Sequence, residues 1–212
     1  MKILFQGDSV TDAGRDRSNP HDMGEGYPKY ASAMISDAFP KTEFEFLNLG
    51  ISGNRTENLV ERLQHDFIDI NPDLIIMMIG VNDVWHHYME GLMIETTAEQ
   101  FASNLRRVLT AIREKTKAKL LMIEPFILPV PDKTAMYPEL DEKIRIERAL
   151  AHEFADAYLP LHALFAAATV RVPCDEFSAD GVHPNADGAC YIGEQVLRAV
   201  TPILTEYFTE KD

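Results

Sequence analysis

The sequence contains no run of the roughly 18 apolar residues that a membrane-spanning helix requires. Its first apolar stretch, residues 3–5, is far shorter than the core of a signal peptide, and turn residues follow at once. Cysteine is scarce. Cys174 and Cys190 have 15 residues between them, a spacing that matches no metal motif, and they read as two reduced thiols. Basic residues are few: 20 Lys and Arg against 34 Asp and Glu give a net charge of −14. Such a surface repels phosphate backbones and anionic headgroups, so neither nucleic acid nor a membrane is an expected partner. Missing too are G-x-G-x-x-G, G-x-x-x-x-G-K-[ST] and G-x-S-x-G, the loops of dinucleotide, nucleoside triphosphate and α/β-hydrolase sites. His21, His65, His86, His87, His152 and His162 lack metal-ligand spacing, so no metal and no cofactor are expected. These exclusions leave a cytoplasmic protein acting on a small molecule or a neutral sugar as the expectation.

What is present is a chain of 212 residues, 46% hydrophobic and 25% charged, long enough to bury one sizeable core. Apolar bursts alternate with amphipathic stretches, the pattern of an α/β domain spanning residues 1–212. Strands are expected at 3–5, around Phe44, Phe46 and Leu49, at 74–79, at 120–123 and at 158–161. The run 74–79 (LIIMMI) is apolar throughout and reads as a central strand covered on both faces. Helices are expected at 27–39, at 56–67 with Thr56 as cap, at 97–115, at 139–157 and at 185–208, the last broken near Pro202. Residues 125–138 hold four prolines (125, 129, 131 and 138) and read as a long loop. Five strands with intervening helices predict an open, mostly parallel sheet, helices on both faces, and a site beyond the C-terminal strand ends.

Four polar motifs fit that edge. Gly7-Asp8-Ser9 follows the first strand, where a serine hydroxyl can stand exposed; alone, it reads as a turn with Asp8 or Ser9 capping the next helix. Gly50-Ile51-Ser52-Gly53-Asn54 follows the second strand, and its glycines let backbone N–H groups approach a ligand closely. Gly80-Val81-Asn82-Asp83-Val84-Trp85 follows the third, and Asn82 offers an amide donor of the kind that stabilises an oxyanion. Trp85, the only tryptophan, either walls a substrate pocket or packs on the core. Asp180-Gly181-Val182-His183-Pro184 precedes the last helix. A carboxylate three residues before a histidine can hold one ring nitrogen while the other accepts a hydroxyl proton. Together they make a complete set: Ser9, Asp180 and His183 as catalytic residues, and Ser9, Gly53 and Asn82 as oxyanion donors. Asp8 and Trp85 are further candidates for contact with substrate.

In their order and spacing, GDS at Ser9, ISG at Gly53, GVND at Asn82 and DGVHP at Asp180 and His183 resemble the four blocks of the SGNH hydrolases, or GDSL esterases. GDSVTDAGR, GISGN and GVNDVW are most similar to the bacterial acetylxylan esterase and carbohydrate acetylesterase branch. The resemblance implies a three-layer α/β/α, flavodoxin-like fold and a serine ester hydrolase without a cofactor. It implies a small or oligosaccharide ester with a short acyl group as substrate, and a homo-oligomer. Two other readings use the same sheet edge. One is a lysophospholipase or thioesterase for longer acyl chains, with residues 125–138 as a wall. The other is a flavodoxin-like module that binds without turnover and has no need of the Asp180/His183 pair.

Overall fold

A computed structural model describes residues 1–209. The described residues form five strands: β1 (Lys2–Gly7), β2 (Glu45–Asn48), β3 (Leu74–Met78), β4 (Lys119–Ile123) and β5 (Ala157–Leu159). They form one sheet in the order β2-β1-β3-β4-β5, with every neighbouring pair parallel. The helices between them are α1 (Ser9–Asp12), α2 (Tyr27–Ala38), α3 (Thr56–Glu61), α4 (Val81–Tyr88), α5 (Ala98–Lys115), α6 (Tyr137–Phe154), α7 (Leu161–Ala168) and α8 (Ala186–Thr209).

Strand periodicity explains the layering. Ile3, Phe5, Leu74, Ile76, Met78, Leu121 and Ile123 point to one face and meet buried residues of α2, α7 and α8. Their sequence neighbours Leu4, Ile75, Met77, Leu120 and Met122 point to the other and meet α3, α5 and α6. Consecutive side chains of a strand alternate faces, so a strand covered on both sides must be apolar throughout. β3 meets that demand at all five positions, each of them buried. Burying one such side chain contributes about 1.5–3 kcal/mol. The result is the three-layer α/β/α arrangement expected from the sequence. No helix among the described residues is long and apolar enough to cross a membrane.

Several local expectations are corrected. The segment 56–67 is not one helix: α3 stops at Glu61, and Gln64–Ile68 form a π turn. Nor is Thr56 the cap. The N–H of Arg55 donates to Asn58 Oδ1 at 2.9 Å, and Thr56 is bound instead by Asp83. Residues 81–88, which lie outside the expected helices, form α4, because Val81 and Val84 bury one side of it directly after the strand. The loop 125–138 is partly a 3₁₀ turn (Pro131–Met136). α6 then begins at Tyr137, with Pro138 in the first turn, where its missing N–H costs nothing. α6 ends at Phe154 rather than 157, since Ala157 is already in β5. Leu161, expected in the last strand, starts α7, whose His162 and Ala163 N–H groups donate to the distant, buried Glu124 Oε2. α8 runs unbroken through Pro202. That proline is exposed, so the carbonyl that loses its partner can turn to water.

The strand order reverses between β1 and β3, and in such sheets ligands bind at that point, beyond the carboxyl ends of the strands. Ser9 follows β1, and Asn82 follows β3.

Candidate active site

At the end of β1 the chain enters α1, a single four-residue turn. Asp8 caps it: its Oδ1 accepts the Val10 N–H at 3.0 Å, and its carbonyl accepts the Asp12 N–H at 2.9 Å. The Asp8 side chain is buried, and burial pushes its carboxyl up to about 7 despite the hydrogen bond from Val10. Asp8, named above as a candidate for contact with substrate, is buried and fixes the turn that carries Ser9. One step along, Ser9 is partly exposed at the mouth of the sheet.

The turn before α8 supplies the partner. His183 Nε2 lies 2.9 Å from Ser9 Oγ, and His183 Nδ1 lies 2.8 Å from Asp180 Oδ2. The chain separation of Ser9 and His183 is 174 residues. Asp180 Oδ1 accepts the N–H groups of Val182 at 2.9 Å and His183 at 2.8 Å. Partial burial pushes the Asp180 carboxyl up, but the donors from His183 and Val182 outweigh it and hold the group at about 2. The imidazole thus stands between a permanent carboxylate and a hydroxyl, the arrangement that lets a histidine take a proton from serine.

Two features hold this turn. Gly181 has φ +80°, a left-handed conformation, and a side chain there would strike Val130 at 2.6 Å. Its carbonyl accepts the Leu128 N–H at 2.8 Å. Val182 is fully buried in a small cluster with Val81, Val84, Ile127 and Met136. That cluster ties the histidine turn to α4 and to the 3₁₀ turn. Ser178, which sequence reading missed, is buried beneath: its Oγ lies 3.0 Å from Asp180 Oδ1 and 2.7 Å from the His183 carbonyl. A serine two residues before an aspartate in a turn was the available signal.

The other two motifs flank Ser9. Asn82 is in the first turn of α4 and almost wholly buried. Its Nδ2 donates one hydrogen to the Asn54 carbonyl at 3.0 Å, which orients the amide and leaves its second hydrogen for another acceptor. Gly53, in the same loop as Asn54, has φ +81° with open space around it; its conformation, not crowding, calls for glycine. Asp12 anchors the loop, with Oδ2 accepting from the Ser52 N–H at 2.9 Å and the Ser52 hydroxyl at 2.7 Å. Arg15 donates to the Gly50 carbonyl at 3.0 and 2.9 Å.

Trp85 stands on α4 with its ring centroid 5.2 Å from that of His183, and Lys133 Nζ lies 5.3 Å from the Trp85 ring centroid. Trp85 also packs on the small cluster around Val182, so both readings of this residue have a structural basis. The Asp180 and His183 side chains are 42% and 46% exposed, so the site opens to solvent rather than to a buried tunnel. Among the described residues, no group of three His, Cys, Asp or Glu side chains is placed to hold a metal.

The model of the GDSL-like lipase/acylhydrolase family matches residues 5–189, a span that takes in all four motifs. The chain belongs to this family. It is similar to an acetylxylan esterase of Geobacillus stearothermophilus, 29% identical over 205 residues that cover 94% of this chain and 93% of the relative. It is 25% identical over 223 residues to an acetylxylan esterase of Xylanibacter ruminicola, of which the match covers 43%. The crystal structure of the Geobacillus acetylxylan esterase superposes with a TM-score of 0.87 at 27% identity, covering 94% of both chains. The chain is a carboxylic ester hydrolase with the fold of these enzymes.

Proposed function

We propose that this enzyme removes acetyl groups from carbohydrate esters through an acyl-enzyme formed on Ser9. The observation that carries the reading is the continuous relay from Ser9 Oγ through His183 to Asp180, with links of 2.9 and 2.8 Å. His183 Nε2 takes the Ser9 proton as Oγ attacks the ester carbonyl. The oxyanion is met by the N–H groups of Ser9 and Gly53 and by the free Nδ2 hydrogen of Asn82. Collapse of the tetrahedral intermediate expels the alcohol, which leaves with the proton from His183. Water then attacks the acyl carbonyl as His183 takes its proton, and collapse releases acetate while Ser9 Oγ leaves with that proton from His183. Asp180 keeps the Nδ1 hydrogen in place and stabilises the imidazolium that forms twice per cycle.

An exposed triad beside an aromatic wall suits a small acyl group on a bulky polar alcohol, with Trp85 as the face on which a sugar ring stacks. The similarity to acetylxylan esterases supports acetylated xylo-oligosaccharides as the substrate class. A long acyl chain would need an apolar channel, and the half-exposed triad favours the shorter group. The net charge of −14 is compatible with a neutral substrate. Cytoplasmic action belongs to this reading, supported by Cys174 and Cys190 as free thiols. So do one catalytic unit spanning the chain and assembly as a homo-oligomer.

The test is a rate comparison on acetyl, butyryl and octanoyl p-nitrophenyl esters alongside acetylated xylo-oligosaccharides. The reading expects kcat/KM to fall with acyl length and the acetylated sugars to release acetate. Faster octanoyl hydrolysis with inert sugar acetates would replace it with a long-chain acyl hydrolase.

A further inference from the structure

Arg62 lies just beyond α3, with its side chain 13% exposed, beneath the strand ends that carry the site. Its guanidinium makes four hydrogen bonds. Nη2 donates to the Gly7 carbonyl at 3.2 Å, at the end of β1 and two residues before Ser9. Nη1 donates to the Leu49 carbonyl at 2.8 Å, where the loop carrying Gly53 begins, and to Asp66 Oδ2 at 2.7 Å. Nε donates to Asn54 Oδ1 at 2.9 Å, on the residue after Gly53. The Asn54 carbonyl in turn receives the Nδ2 hydrogen of Asn82 at 3.0 Å. One rigid group therefore grips the segment of each of the three oxyanion donors, either directly or through Asn54.

We propose that Arg62 is a positioning residue for the oxyanion hole, setting the mutual spacing of the Ser9, Gly53 and Asn82 donors. The proposal rests on the assignment of the hole to those residues. Charge pairing alone does not account for the site. Asp66 satisfies the cation with one oxygen, yet three further donors are spent on Gly7, Leu49 and Asn54, and those three mark the donor-bearing segments. Only a planar fork can hold acceptors in several fixed directions; a lysine offers a single point charge. Burial pushes the Arg62 pKa down and Asp66 pushes it back up, and a guanidinium stays charged throughout the working range.

The donors of an oxyanion hole act by being in place before the charge develops, so their spacing matters more in the transition state than in the bound ester. Loosening the fork should therefore lower kcat and spare KM. Because misplacement by about 1 Å can cost about 10²-fold, Arg62→Lys is expected to lower kcat roughly 10- to 100-fold on p-nitrophenyl acetate. KM should stay within about twofold and the pH dependence should keep its shape, because the Ser9–His183–Asp180 relay is untouched.

The deciding measurement is a double-mutant cycle with Asn82→Ala, with circular dichroism and thermal melts showing that each variant is folded. If Arg62 acts through the hole, Arg62→Lys costs less in the Asn82→Ala background than in the wild type, because one of the three donors it positions is already gone. Wild-type kcat in Arg62→Lys, or an equal fold-loss in both backgrounds, overturns the proposal. Wild-type turnover in Asn82→Ala alone overturns the oxyanion assignment beneath it. If Arg62→Lys does not fold, Asn54→Ala enters the same cycle. It removes only the Nε acceptor and keeps the carbonyl that holds Asn82, and a kcat loss of roughly 3- to 10-fold that shrinks in the Asn82→Ala background is expected.

Discussion

Asp83 grips Thr56 with both carboxylate oxygens: Oδ1 takes the hydroxyl at 2.7 Å, and Oδ2 takes the backbone N–H at 3.0 Å. Both residues are buried. The pair joins the first turn of α4, which carries Asn82, to the start of α3, which follows the loop carrying Gly53. Burial pushes the Asp83 carboxyl up to about 6 against the lowering effect of the Thr56 bonds. Asp83→Ala leaves the Thr56 N–H and hydroxyl without these acceptors, and a loss of about 1–3 kcal/mol of stability is expected for such buried groups. A melt showing no change in Tm would contradict the role given to this pair.

Asn82→Ala keeps α4 but removes the amide proposed for the oxyanion hole. Turnover should fall by about 10²–10³, the usual cost of deleting one oxyanion donor, with KM little changed. An unchanged kcat would take Asn82 out of the hole.

Asp180→Asn preserves shape but offers an amide where the imidazole N–H needs a carboxylate. Turnover should drop by about 10⁴, as when the orienting acid of such a triad loses its charge. The same variant reports on stability. The folded pKa is lowered to about 2, so the carboxylate's contribution is present above the ordinary value of 3.8 and is lost as pH falls through 2. The melting temperature of Asp180→Asn should therefore depend less on pH between about 4 and 2 than that of the wild type. Matching slopes would show that the carboxylate gains nothing from its donors.

Asp8 has the opposite sign. Its folded pKa is raised from 3.8 to about 7, so the folded state holds its proton more tightly than the unfolded chain. Below 3.8 both states are protonated and burial carries no charge penalty. Between 3.8 and 7 the penalty grows with pH, reaching about 4 kcal/mol at roughly 1.4 kcal/mol per unit. Asp8→Asn retains an oxygen for the Val10 N–H and cannot ionise. Its stability should fall less than that of the wild type between pH 4 and 7, and the slope rather than the absolute Tm is the readout. Parallel slopes would mean that Asp8 does not carry the penalty.

The legible parts of the molecule were those written in short-range pattern. β3 declared itself by five consecutive apolar side chains, and the polar motifs sat directly after the strands that deliver them. Asp180 and His183 were readable as a pair because they share one turn. What escaped was made by contacts distant in the chain. α7 depends on Glu124, 38 residues before His162. Thr56 read as a cap because its true acceptor, Asp83, lies 27 residues away. The burial of Asp8 was not legible either, because only the packed turn shows its side chain capping the Val10 N–H. Pro202 read as a break because sequence does not say that it faces solvent.

The proposed role of Ser9 as nucleophile stands or falls on the rate of p-nitrophenyl acetate hydrolysis by folded Ser9→Ala. A loss of about 10⁴-fold or more is expected, leaving only the residual catalysis that a triad enzyme keeps through its oxyanion hole and binding. Hydrolysis within tenfold of the wild-type rate would contradict it.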